Sequence, residues 1–138
     1  MNRTSPKTRK VNKQLFRNYV EKAGESLSTA KDCLAEGRWN SAVINAVHCG
    51  INACDALTVF MIGLRHAGER HEDAIGLLQS LRMPKAALNS KIKQLSMLLS
   101  IKNAAEYEER MMTEEEANAA VRDAERFYEW VKSFLPMT

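Results

Sequence analysis

Residues Trp39 to Leu64 read WNSAVINAVHCGINACDALTVFMIGL. The stretch is far too long for a strand and contains no proline. At 100° per residue its side chains are apolar nearly all round, the pattern of a helix enclosed by other helices. Ala42, Ala46, Gly50 and Ala53 line up as a strip of small residues, which predicts close approach by a neighbouring helix. A glycine in mid-helix costs about 1 kcal/mol against alanine, so close packing is the expected reason for Gly50. One narrow strip breaks the apolar surface. Asn45, His48, Asn52 and Asp55 follow +3, +4, +3 spacing and stack on one side. Polar groups on an otherwise buried helix must find partners or water, so this strip is the leading candidate for function.

The flanking segments read as further helices. Phe16, Val20, Ala23, Leu27, Ala30 and Leu34 repeat at +4, +3 and predict a first helix from Val11 to Glu36, stopped at Gly37. A short corner at Gly37-Arg38 makes the central helix its antiparallel neighbour. Beyond Leu64 comes RHAGERHED, with a turn expected at Gly68. A short third helix is expected over His71–Leu81, burying Ala74, Leu77, Leu78 and Leu81. Pro84 suits the first turn of a fourth helix running to about Arg110. Its seam of Leu88, Ile92, Leu95 and Leu99 continues onto Lys102 and Glu106, so it turns polar there. Thr113-x-x-Glu116 is a capping box opening a last helix, with Ala117, Ala120, Val121, Ala124, Phe127, Tyr128, Val131 and Leu135 on its apolar face. No strand pattern or internal repeat is found. The fold class is all-α, four long helices and one short one, over residues 13–138.

Composition sets the bounds. The chain of 138 residues is 45% hydrophobic and 27% charged, ordinary for one soluble domain with a core of its own. No segment reaches the roughly 20 uninterrupted apolar residues of a membrane span, because the central helix carries the polar strip. The net charge of +3 arises at one end. Arg3, Lys7, Arg9, Lys10 and Lys13 stand without an acid among them; the remaining 15 of the 20 Lys and Arg face 17 Asp and Glu. The body is therefore no polycation. Residues 1–12 read as a disordered basic arm without the apolar core of a secretory signal. Cys33, Cys49 and Cys54, an odd number without a CxxC, fit small apolar residues in a reducing cytoplasm.

With these elements in order, the chain resembles the HEPN (higher eukaryotes and prokaryotes nucleotide-binding) domains. SLSTAKDCLAEGRWNSAVINAVHCGINACDAL is similar to the family's first hairpin, where an A-x-x-x-L helix leads through a Gly-Arg corner into S-A-V-x-x-A-[YV]-[YH]. His71-Glu72-Asp73-Ala74 resembles its His-containing third helix. Lys102-Asn103-Ala104-Ala105-Glu106-Tyr107 resembles its R-x-x-A-D-Y, and Thr113 to Phe134 its closing helix. The resemblance covers about residues 15 to 135. It implies an antiparallel up-and-down bundle, commonly a homodimer. Some members are metal-independent ribonucleases of toxin–antitoxin or defence systems; others are non-catalytic and bind nucleotides or a partner nucleotidyltransferase. Lys102 stands for the ribonucleases' Arg and Asn103 for the adjoining polar residue. Glu106-Tyr107 stands where their His belongs.

That substitution carries chemical weight. Metal-free RNA cleavage needs a base, an acid and a cation on the phosphorane. Lys102 supplies charge without arginine's bidentate fork, and a phenol such as that of a tyrosine does not serve as a base without help. A formal match, Arg65-His66-x-x-x-x-His71, occurs one helix too early; its plainer reading is a polar corner opening a helix, and Arg65, His66 and His71 are the residues of the catalytic alternative. The spacing of His66 and His71 fits no zinc pattern, and no cofactor or metal is expected. Asn45, His48, Asn52 and Asp55 could face Lys102, Glu106 and Tyr107 across the bundle as a ligand pocket. They could equally form a self-satisfied network, a dimer contact, or a solvated face with Lys102–Glu106 as an i,i+4 pair. Glutamates 106, 108, 109, 114, 115 and 116 crowd that end of the bundle and weigh against nucleic acid there. The sequence thus reads as a non-catalytic binding protein for a nucleotide-type ligand or a partner such as a nucleotidyltransferase, with a metal-independent endoribonuclease acting on RNA as the alternative.

Overall fold

The computed structural model describes residues 6–68 and 70–136, apart from the side chain of His71. Five α-helices occur among them: α1 (Phe16–Ala35), α2 (Trp39–Ile62), α3 (His71–Gln79), α4 (Lys85–Tyr107) and α5 (Glu114–Lys132). A single turn of 3-10 helix, Lys13–Leu15, precedes α1. The molecule is an all-α bundle with α2 at its centre, packed chiefly on α1 and then on α5 and α4.

The seam of α1 is buried at Phe16, Val20, Ala23, Leu27 and Ala30, with Cys33 rather than Leu34 completing it. Gly37 ends the helix at a φ of 74°. There the Arg38 N–H donates to the Cys33 carbonyl at 2.8 Å and the Gly37 N–H to the Leu34 carbonyl at 3.2 Å, a double closure that needs a left-handed residue. Close packing does explain Gly50. A β-carbon placed there would lie 2.9 Å from Leu98 Cδ1 and 3.4 Å from Leu95 Cδ1, so α4 rests against the bare backbone of α2. Leu88, Leu95 and Leu99 are buried, and the seam turns half-exposed at Lys102 and Glu106. The capping box forms: the Glu116 N–H donates to Thr113 Oγ1 at 3.1 Å, and the Thr113 N–H to Glu116 Oε1 at 2.9 Å. Asn40, in the first turn of α2, ties that end of the bundle to the α4–α5 connection, donating to the Ala105 carbonyl and accepting from the Met112 N–H.

Two expectations are corrected. The first is the absence of strands and the disordered arm. Thr8–Lys10 forms β1, antiparallel to β2 at Leu64–His66, with Thr8 opposite His66 and Lys10 opposite Leu64. The Val11 N–H donates to the Gly63 carbonyl and the Ala67 N–H to the Lys7 carbonyl. A strap of this kind is held by backbone hydrogen bonds and keeps its side chains in water, so it leaves no apolar period to read; exposed edge strands favour such basic residues. Residues 1–5 lie outside the described part. The second concerns the membrane. By length and composition α2 is sufficient to cross a bilayer, but 67% of the apolar window is buried inside the bundle. The core supplies the environment that its apolar surface demands.

Candidate functional site

Gly63 decides where the polar residues meet. It stops α2 at a φ of 66°, with its N–H on the Val59 carbonyl. The chain then turns back as β2, which carries Arg65 and His66 over Asp55. Asp55 is 1% exposed. Arg65 Nη2 donates to Asp55 Oδ2 at 3.0 Å, and His66 Nδ1 lies 3.0 Å from Asp55 Oδ1. The second contact has the distance of a hydrogen bond without its alignment, and Oδ1 has no other partner. The Arg65 guanidinium also sits 5.6 Å from the centre of the Tyr19 ring, within cation–π range.

The polar strip of α2 does not converge as one pocket. The Asn45 amide donates to the Ser41 carbonyl and the Asn52 amide to the His48 carbonyl, each at 2.9 Å. Both amides are thus used by their own helix, and His48 is exposed. Asp55 faces β2. Lys102 Nζ and Glu106 Oε2 pair at 3.3 Å along α4. His66 belongs to a different group. With Arg70, Lys102, Asn103 and Tyr107 it lines a cavity of about 440 Å³ floored by Ile51, Ala74 and Leu99. The wall gathers an imidazole, a guanidinium and an ammonium, and among the described residues none that lines it is a carboxylate. Glu106 reaches Lys102 from outside this lining. The volume is that of an ordinary ligand site, and Tyr107, 73% exposed, offers an aromatic face at its mouth.

Arg70 is the residue that sequence reading missed. It lies in RHAGERHED as the residue before α3, and the structure places it in the cavity wall. Asn103 was marked by its place after Lys102 but had no other signal. The side chain of His71 lies outside the described part, so the Arg65…His71 constellation is placed only at Arg65 and His66. Cysteine chemistry is disfavoured: burial pushes the Cys49 thiol up to about 12 and raises Cys54 as well. Among the described residues no group of three His, Cys, Asp or Glu side chains could hold a metal ion.

Helices packed around a buried central one define the class, an all-α bundle. The family model of the HEPN domain matches residues 16–134, most of the chain, and the chain belongs to that family. Among solved structures, the crystal structure of TT1696 from Thermus thermophilus superimposes with a TM-score of 0.70 at 19% identity. The match covers 88% of this chain and 98% of that one, and it is a likeness of fold. No curated protein matches the sequence.

Proposed function

We propose that the chain is a binding module that takes a nucleotide-type ligand in the cavity beside α4, without catalysing a reaction on it. The observation that carries this reading is the convergence of three cationic or potentially cationic side chains, His66, Arg70 and Lys102, on one cavity. Such a wall suits phosphate oxygens. Asn103 can read a base edge, and Tyr107 offers a stacking face of the sort that binds bases without sequence preference. The ligand is either free or presented by a partner such as a nucleotidyltransferase.

The ribonuclease reading has one observation in its favour: His66 shares the cavity with Lys102 although 36 positions separate them in the chain. Against it, transesterification needs both a base and an acid. Among the described residues a single imidazole lines the cavity, and Glu106-Tyr107 stand where the ribonucleases that the chain resembles carry their His. Equilibrium binding to ATP, AMP, GTP and a short RNA, run beside an RNA-cleavage assay in EDTA, separates the readings. Binding without cleavage supports the module; cleavage abolished by His66→Ala would replace it with the enzyme.

We further infer a homodimer working in the cytoplasm. Met97 and Met111 are apolar side chains left exposed on and just beyond α4, and a second copy would cover them. The three cysteines are free and buried, as suits a reducing compartment.

A further inference from the structure

A buried carboxylate and the imidazole of the cavity are joined in a way the ligand reading does not use. Asp55 is inside the core, beneath β2, and does not line the cavity. Its Oδ2 is taken by Arg65. Its Oδ1 is buried with no aligned donor, and the Nδ1 of His66 lies 3.0 Å away. A buried, unpaired carboxylate oxygen is costly, and the small ring rotation that aligns Nδ1–H with it removes the cost. From the other side β1 pairs with β2 at Thr8 opposite His66, which fixes the backbone from which the ring hangs. The family match begins at residue 16, so this strap lies outside it.

We propose that Asp55 is a positioning residue of the cavity: it holds the proton on Nδ1 of His66 and leaves Nε2 as the nitrogen that meets the ligand. The proposal rests on the ligand reading above for what Nε2 meets, but not for the state of the ring. A carboxylate on one imidazole nitrogen sets both the tautomer and the orientation of the other. In the neutral ring Nε2 accepts a hydrogen bond from a base or sugar donor; in the imidazolium it donates to a phosphate oxygen.

The chemistry of an amide supplies a sharp test. In Asp55→Asn the side chain has one oxygen and one NH2 group. Arg65 can only donate, so it claims the oxygen and leaves the NH2 facing Nδ1, which must then accept. The tautomer should invert. Imidazole 15N shifts of the intact chain at pH 8 read this directly. Wild type should show His66 with protonated Nδ1 and bare Nε2, and Asp55→Asn the reverse. Adding ATP should move the Nε2 resonance of wild type, and the shift should change character in Asp55→Asn, whose Nε2 carries a proton where wild type presents a lone pair. A wild-type ring protonated on Nε2 overturns the proposal without recourse to any variant, and so does an unchanged tautomer in folded Asp55→Asn. A protonated Nδ1 with no ATP response at any ring atom supports Asp55's hold on the ring and refutes the ligand reading instead.

Discussion

Replacing Asp55 by alanine should cost the fold far more than replacing His48, although both stand on the same polar strip of α2. Asp55 is 1% exposed and bonded to Arg65 at 3.0 Å. Arg65 is itself only 24% exposed, and its Nε is buried without a partner. Asp55→Ala therefore strands a half-buried guanidinium and the His66 ring above an empty space. Removing one member of a buried pair costs about 3–5 kcal/mol; the partial exposure of Arg65 places this case near the lower end, about 3 kcal/mol. Unfolding entropy scales at about 2.1 cal/mol/K per residue, so for a chain of this length the loss is a fall of about 10 °C in Tm. His48 is exposed, and His48→Ala should stay within about 0.5 kcal/mol of wild type. Thermal melts followed by circular dichroism make the comparison. An Asp55→Ala variant melting within about 2 °C of wild type would refute the claim that this carboxylate anchors β2 to the core.

Three further outcomes are expected. Deleting the chain through Lys10 removes the β1 ladder and the bond from the Lys7 N–H to Asp73 Oδ1; after the ordering entropy is returned, the net loss is about 1–2 kcal/mol, a Tm lower by roughly 3–7 °C, and an unchanged Tm would show the strap idle. Hydrogen bonds from Arg110 and then from the Thr113 backbone hold the Glu116 carboxyl at about 2, against an ordinary 4.5. A depressed carboxylate stabilises fully above its unfolded value and loses that contribution as pH falls from 4.5 towards about 2, so the Tm advantage of wild type over Glu116→Gln should vanish across that window. Light scattering at micromolar concentration should return twice the 15.6 kDa chain mass; a monomer would remove the dimer.

The bundle was readable because helix periodicity is a local signal and burial enforces it. Phe16, Val20, Ala23, Leu27 and Ala30 announce their shared face, Gly50 announces close packing, and Thr113 with Glu116 announces a helix start. The site was readable only in pieces. Lys102 stood out where a leucine seam broke, and Asp55 where a polar residue sat on a buried helix. Their association was hidden. Spacing on α2 suggested that Asp55 joins His48 and Asn52, whereas the turn at Gly63 brings Arg65 and His66 back onto it. The strap failed to show for a different reason: TRK carries no alternation, and its strand exists because β2 offers it a backbone ladder. Contacts made by a return of the chain are decided by one left-handed glycine, and periodicity has no access to them.

The central claim is that the wall of His66, Arg70 and Lys102 receives a phosphate-bearing ligand. Isothermal titration of ATP into wild type and into Lys102→Ala tests it most directly, with both proteins melting at similar temperatures because the one ion pair lost is an i,i+4 contact along α4. The account predicts saturable binding by wild type and a loss of roughly tenfold or more in Lys102→Ala, as expected when one charged contact to phosphate is removed. Equal affinity in the two proteins, or no heat of binding in wild type at millimolar ATP, would contradict it.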